Sequence, residues 1–282
     1  MAATPGIETV VGFYDRHPIN EEQILTKLAE RGVDLDHLTE DILQEHDQDH
    51  FGGLAAVDEL ATAARIDPSC RVLDVCSGVG GPARYLAHRY RCRVTGLDLT
   101  ESRHQAAIRL TRLVGLSHEV EFRLGNALAM PFDDAGFDVV FGQEAWAHVP
   151  DKPRLIAECA RVVRPGGPIA FTDIVRGEGL TTGEEDRLRR EMTFLELASA
   201  DGYARLLEEA GCKVLQRQDL GPDWSEILRQ RLQMYRGLRA TTLERFGAEH
   251  FRRWDEAYAF FVGLYGTGRL SGARIVAERL AG

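Results

Sequence analysis

The chain lacks what a nucleic-acid binder, a disulfide scaffold or a membrane span would need. Its 34 Lys and Arg stand against 44 Asp and Glu, a net charge of −10. The basic residues are interleaved with acidic ones, so the clustered cations that phosphate contacts require are missing. The five cysteines, Cys70, Cys76, Cys92, Cys159 and Cys212, are odd in number and show no CxxC spacing. That pattern argues against a disulfide framework and a zinc site, and suits buried thiols in a reducing compartment. No uninterrupted apolar run approaches the ~18 residues that span a bilayer, and Met1 to Thr9 shows no basic stretch leading into an apolar one. The expectation is a cytoplasmic protein acting on a small molecule, without nucleic acid, membrane or metal, and open to homo-oligomerisation. No internal repeat or low-complexity tract is present.

What is there is an ordinary globular composition, 44% hydrophobic and 28% charged over 282 residues, enough to bury a substantial core. Apolar residues recur at helical spacing over Glu21 to Arg31 and Leu54 to Arg65. From Arg71 onward short apolar strands alternate with amphipathic helices. Strands are expected at Arg71–Val75, Arg93–Leu97, Val120–Leu124, Phe137–Phe141 and Pro168–Ile174, with helices at Pro82–Tyr90, Ser102–Val114 and Pro153–Val163. Such alternation predicts right-handed crossovers and a parallel sheet. Beyond Arg176, helices over Glu184–Ser199 and Gly202–Ala210 lead to a strand at Lys213–Gln218. A helical insertion from Trp224 to Tyr265 follows, then a last strand at Arg274–Leu280. The fold class is therefore α/β, a Rossmann-like seven-stranded, mostly parallel sheet with helices on both faces and a helical cap. Its parts are an N-terminal helical lid (1–65), a cofactor-binding core (66–221), the cap (222–269) and a final core strand (270–282).

Ligands of open α/β sheets sit beyond the carboxyl ends of the strands. After the first strand, Gly78, Gly80 and Gly81 permit a tight turn and close backbone approach. Asp98 ends the second strand 20 residues after Gly78, the spacing at which a carboxylate accepts from ribose hydroxyls. A nicotinamide enzyme would need GxGxxG, which Cys76-Ser77-Gly78-Val79-Gly80-Gly81 does not supply.

With these features Arg71 to Val175 resembles the class I S-adenosylmethionine-dependent methyltransferases. The segments Ser77 to Arg84, Val149 to Lys152 and Glu158 to Val162 look nearest to the sarcosine/dimethylglycine N-methyltransferase group and its small-molecule relatives. The resemblance implies S-adenosylmethionine as methyl donor and S-adenosylhomocysteine as product. It implies that Asp74, Cys76, Ser77 and Gly78 lie near the methionine end and that Asp98, with Leu99 beside it, holds the ribose. Asn126 and Ala127 stand where the family has Gly-Asp-Ala beside the adenine, and Gln143 lines the transfer site. Cys76 departs from the family, which has a glycine there. An N-terminal aromatic that folds over the cofactor makes Tyr14 a lid residue.

For the acceptor side the candidates are Glu144 and His148 as catalytic groups and Trp146 and His50 as substrate contacts. Glu144 can equally cap a helix, Trp146 can be core and His148 a packing histidine. The cluster His46, Asp47, Asp49, His50 has no familiar metal-ligand spacing and reads as a solvated or substrate-entry loop. The expected reaction is methylation of a small molecule, an amine first. C- or O-methylation in natural-product biosynthesis is the alternative, and a cofactor-binding module without catalysis is the reading from another class.

Overall fold

The computed structural model describes residues 7–15 and 20–281, so residues 1–6, 16–19 and 282 of the expected terminal segments lie outside the described part. Seven strands form one sheet in the order β3-β2-β1-β4-β5-β7-β6, with β1 Arg71–Val75, β2 Arg93–Asp98, β3 Val120–Leu124, β4 Val139–Gln143, β5 Pro168–Arg176, β6 Cys212–Asp219 and β7 Leu270–Arg279. The first five run parallel; β7 inserts antiparallel between β5 and β6. Chain order reverses direction between β1 and β4. The crevice at their carboxyl ends is thus the switch point where such sheets bind ligands.

Helices cover both faces, as the near-continuous apolar strands require. On one face α4 (Gly53–Ala63), α5 (Gly81–Tyr90) and α6 (Glu101–Leu113) pack over Val72, Val94 and Phe141. On the other, α7 (Lys152–Val162) and α9 (Ala200–Glu209) pack over Leu73, Ile169 and Ile275. The N-terminal part holds α1 (Ile7–Tyr14), α2 (Glu21–Glu30) and the short α3 (Glu40–Leu43). A helical hairpin of α10 (Gly221–Gly237) and α11 (Arg239–Gly266), kinked at Gly247 with φ 83°, forms the cap.

Three expected elements are displaced, one being the last strand, placed at Arg274–Leu280 and found at Leu270–Arg279. The strand placed at Phe137–Phe141 runs instead over Val139–Gln143, because Phe137 makes only an isolated bridge to Val163. The helix placed at Glu184–Ser199 is α8, Thr182–Met192, and stops at Thr193, where φ is +55°. Beyond it the backbone bonds sideways, the Leu195 N–H to Ala147 O at 3.0 Å and the Arg176 N–H to Ala198 O at 3.0 Å, in place of helical partners. That break brings Phe194 inward, buried among Leu188, Phe261 and Leu264.

Under the N-terminal part lies a buried ion network. Arg84 of α5 is 0% exposed; its guanidinium donates to Asp47 at 2.6 Å, to Val79 O at 2.8 Å and to Thr111 at 3.2 Å, and stands 3.5 Å from Glu40. Burial pushes the Glu40 carboxyl up to about 8 despite Arg84. The network clamps the Gln44 to Gly53 segment onto the sheet's helical layer.

Candidate active site

A cavity of about 260 Å³ opens at the switch point, and Tyr14, Asp49, His50, Asp98, Glu144 and His148 all line it. It has one half over β1, β2 and the turn after β3, the donor half of the sequence expectation, and another over β4, β5, α1 and α11, the expected acceptor half.

The donor half is built on the turn after β1. Cys76 and Ser77 both donate backbone N–H bonds to Leu97 O, at 2.8 and 3.0 Å, so the turn is pinned to β2. Asp98 finishes the job: one carboxylate oxygen accepts from the Gly78 N–H at 2.8 Å and the other from the Thr100 N–H at 2.8 Å. Each oxygen keeps a lone pair for a ligand. The glycines divide their work differently from the sequence expectation. Gly78 has φ +55° and open space where a Cβ would point, which leaves its face to a ligand. A Cβ on Gly80 would lie 2.5 Å from Phe122, and one on Gly81 2.5 Å from the Asp47 carbonyl oxygen. Those two positions are glycine because the protein packs against itself there.

Cys76 holds a left-handed φ of 66°, the conformation a glycine adopts at no cost, and burial pushes its thiol well above the ordinary range. Asp74 is buried and pushed up to about 7, first by burial and then by the neighbouring Asp98 charge. Asn126 lines the same half beside Ala127 and Leu99. Its side-chain oxygen accepts the Leu128 N–H at 2.9 Å, which leaves the amide NH₂ as the donor.

The acceptor half begins where β4 ends. Gln143 lines the cavity with both side-chain polar atoms buried and unpartnered in the protein. Glu144 takes φ +56°, and its Oε2 accepts the Phe51 N–H at 2.6 Å, tying the Gln44 to Gly53 loop to the strand end. Burial drives its carboxyl well above the usual range. A 3₁₀ turn, Trp146–His148, follows. His148 Nδ1 lies 3.0 Å from the Thr193 carbonyl oxygen. That carbonyl can only accept, so Nδ1 carries the proton. Tyr14 packs edge-on to the same imidazole at 5.3 Å between centroids, with Arg103 5.0 Å over the Tyr14 ring.

Trp146 requires a correction. It is 1% exposed, stacks on Phe171 at 4.2 Å and donates its indole N–H to Val75 O at 3.3 Å, so it belongs to the core and not to the cavity wall. A Cβ on Gly142 would lie 2.7 Å from that indole nitrogen, which is why β4 carries a glycine. His50 does line the cavity, held by Gln48 Oε1 at 2.9 Å while the Gln48 amide donates to Asp47 at 2.7 Å. Asp47 and His50 are thus engaged inside the loop, and among the described residues no group of three or more metal-binding side chains converges.

Sequence reasoning missed Asp173 and the apolar wall. Asp173 on β5 is fully buried and accepts from the Ala147 N–H at 3.2 Å and the Tyr203 hydroxyl at 2.7 Å, fixing the turn that presents His148. A carboxylate inside an otherwise apolar strand was the available signal. Phe51, Ile174, Met192, Phe194 and Phe261 face the same cavity from four separate parts of the chain.

A methyltransferase-domain family model matches residues 73–171. The chain is 34% identical over 191 residues to the methyltransferase GfsG of Streptomyces halstedii, covering 62% of this chain and 69% of that protein. It is 34% identical over 164 residues to a glycine/sarcosine/dimethylglycine N-methyltransferase of Actinopolyspora halophila, covering 58% of this chain but only 29% of that longer protein. Among solved structures, a putative sarcosine dimethylglycine methyltransferase from Galdieria sulphuraria superposes with TM-score 0.74 at 19% identity, over 92% of this chain and 98% of that one, a likeness of fold.

Proposed function

This chain belongs to the class I S-adenosylmethionine-dependent methyltransferases, and from that membership we propose that it methylates a small molecule at a heteroatom whose proton His148 removes. The observation that carries the reading is that Gly78, Asp98 and His148 line one and the same cavity. An amine acceptor draws support from the kinship with the A. halophila N-methyltransferase.

The residues fit the donor. Buried polar atoms of Asp74, Ser77 and Gln143 have no protein partner, an arrangement that costs ~1–3 kcal/mol per group unless a ligand satisfies it. We assign Asp74, Cys76, Ser77 and Gly78 to the methionine end, Asp98 and Leu99 to the ribose, and Asn126 and Ala127 to the adenine. Tyr14 closes over them from α1, with residues 7–14 serving as lid. When bound, S-adenosylmethionine supplies an electrophilic methyl group on a sulfonium. The chain's own contribution is alignment of the acceptor, exclusion of water by Tyr14 and Phe13, and receipt of the acceptor's proton by the His148 imidazole. Alignment of this kind is worth up to ~7–11 kcal/mol.

Two measurements follow. Asp98→Ala removes a charged acceptor and frees the Gly78 and Thr100 N–H groups, so the dissociation constant for S-adenosylhomocysteine should rise by about 10- to 150-fold, the equivalent of ~1.5–3 kcal/mol. Unchanged affinity by calorimetry would remove Asp98 from the ribose site. Asp74, raised to about 7, must be ionised to face the donor's ammonium group. Affinity should therefore hold above pH 8 and weaken as pH falls through 7, approaching ~10-fold per unit. A flat profile from pH 8 to 6 would detach Asp74 from the methionine end.

A further inference from the structure

At the carboxyl end of the sheet the cavity crosses β4, β1, β2 and β3 in that spatial order. With the ribose on Asp98 at the end of β2, as proposed above, the next strand away from the acceptor half is β3, at the strand spacing of about 4.8 Å. The turn after β3, Gly125 to Leu128, therefore meets the base. Leu99, Ala127 and Leu128 give this part of the cavity apolar walls. Such walls stabilise any planar base and cannot tell one purine from another.

The amide of Asn126 can tell them apart, because its orientation is fixed. Its side-chain oxygen accepts the Leu128 N–H at 2.9 Å, and its backbone carbonyl accepts the Ala129 N–H at 2.9 Å, so side chain and turn brace each other. A half-turn of the amide would set its NH₂ against the Leu128 N–H, donor against donor. The NH₂ is thus the end left to a ligand, and it can only donate. Among the carboxylates that line the cavity, Asp98 alone comes from β2, β3 or the turns that follow them. Its two oxygens already accept from Gly78 and Thr100.

We propose, on the methyltransferase reading above, that Asn126 sets the base specificity of the donor site by reading the purine as a hydrogen-bond acceptor. Its NH₂ donates to a ring nitrogen or to a 6-oxo oxygen and leaves an exocyclic 6-amino group, itself a donor, unread. The site then takes nucleoside thioethers of hypoxanthine as well as of adenine. A carboxylate at position 126 would do the reverse, accepting from the 6-amino group and repelling a 6-oxo oxygen.

The test is calorimetry of S-adenosylhomocysteine and S-inosylhomocysteine, which differ in the exchange of the 6-amino for a 6-oxo group. The wild-type protein should bind the two with dissociation constants less than about fivefold apart. Asn126→Asp is nearly isosteric and keeps an oxygen for the Leu128 N–H, yet it should favour the adenine compound by about 10- to 100-fold, the range for a mismatched polar pair. Asn126→Ala presents no polar group and should weaken both by like factors. A wild-type preference for adenine above fivefold, or a ratio that Asn126→Asp leaves unchanged, overturns the proposal while the donor site stands. Failure of both compounds to bind the wild-type protein overturns the reading on which the proposal rests.

Discussion

Replacing His148 with alanine should lower kcat for methyl transfer by about 10²- to 10⁴-fold, the range for loss of a positioned base, while affinity for S-adenosylhomocysteine stays within about threefold. The split follows from where the side chain is held. Nδ1 is bound to the Thr193 carbonyl at 3.0 Å, and Asp173 fixes the turn beneath it, so the ring is held in place where it lines the cavity. Its ring packs against Phe13, Tyr14 and Phe194 and bonds to Thr193, residues outside the Gly78–Asp98 cradle. Single-turnover rates with saturating donor separate the two quantities. A fall in donor affinity with kcat untouched would make His148 a wall of the donor site and not a base.

The second large effect is on stability. Arg84→Leu leaves Asp47 and Glu40 buried without their counter-ion, and removing one partner of a buried ion network costs ~3–5 kcal/mol. The urea midpoint should drop accordingly, with the slope of the transition unchanged. Because Asp47 leads through Gln48 to His50, and Phe51 to Glu144, a destabilised loop should also loosen the acceptor chamber. The combined Glu40→Leu, Asp47→Leu, Arg84→Leu protein should recover much of the loss, since apolar side chains can replace a buried ion network at little cost. Equal stability of the single variant and the wild type would mean that water reaches these charges.

The fold was legible because its signal is local. Strands buried on both faces read as short apolar runs, and each was followed by a helix with its own polar face, so the parallel core emerged from spacing alone. Edges were less clear: Phe137 is apolar enough to start a strand, yet the ladder begins two residues later, at Val139. That Gly78, Asp98 and Asn126 come together at the strand ends was also legible, since they stand at or just after the ends of β1, β2 and β3 in order. Its inner logic was not. Whether a glycine serves a ligand or a neighbour depends on what stands opposite, and Phe122 and the Asp47 carbonyl come from distant segments. The acceptor half was the least legible part. Phe51, Ile174, Phe194 and Phe261 meet only because Thr193 turns left-handed and the α10–α11 hairpin folds back over β7 and α8. Trp146 misled for a related reason: an aromatic beside catalytic candidates looks like a wall, but the 3₁₀ turn points it down onto Phe171.

The central claim is that methyl donor and acceptor base share one cavity. A crystal structure of the protein grown with S-adenosylhomocysteine tests it directly. The account predicts the ribose on Asp98, the adenine beside Asn126, and the homocysteine sulfur directed toward the His148 side of the cavity. Nucleoside density anywhere else, or a sulfur turned away from His148, would contradict it.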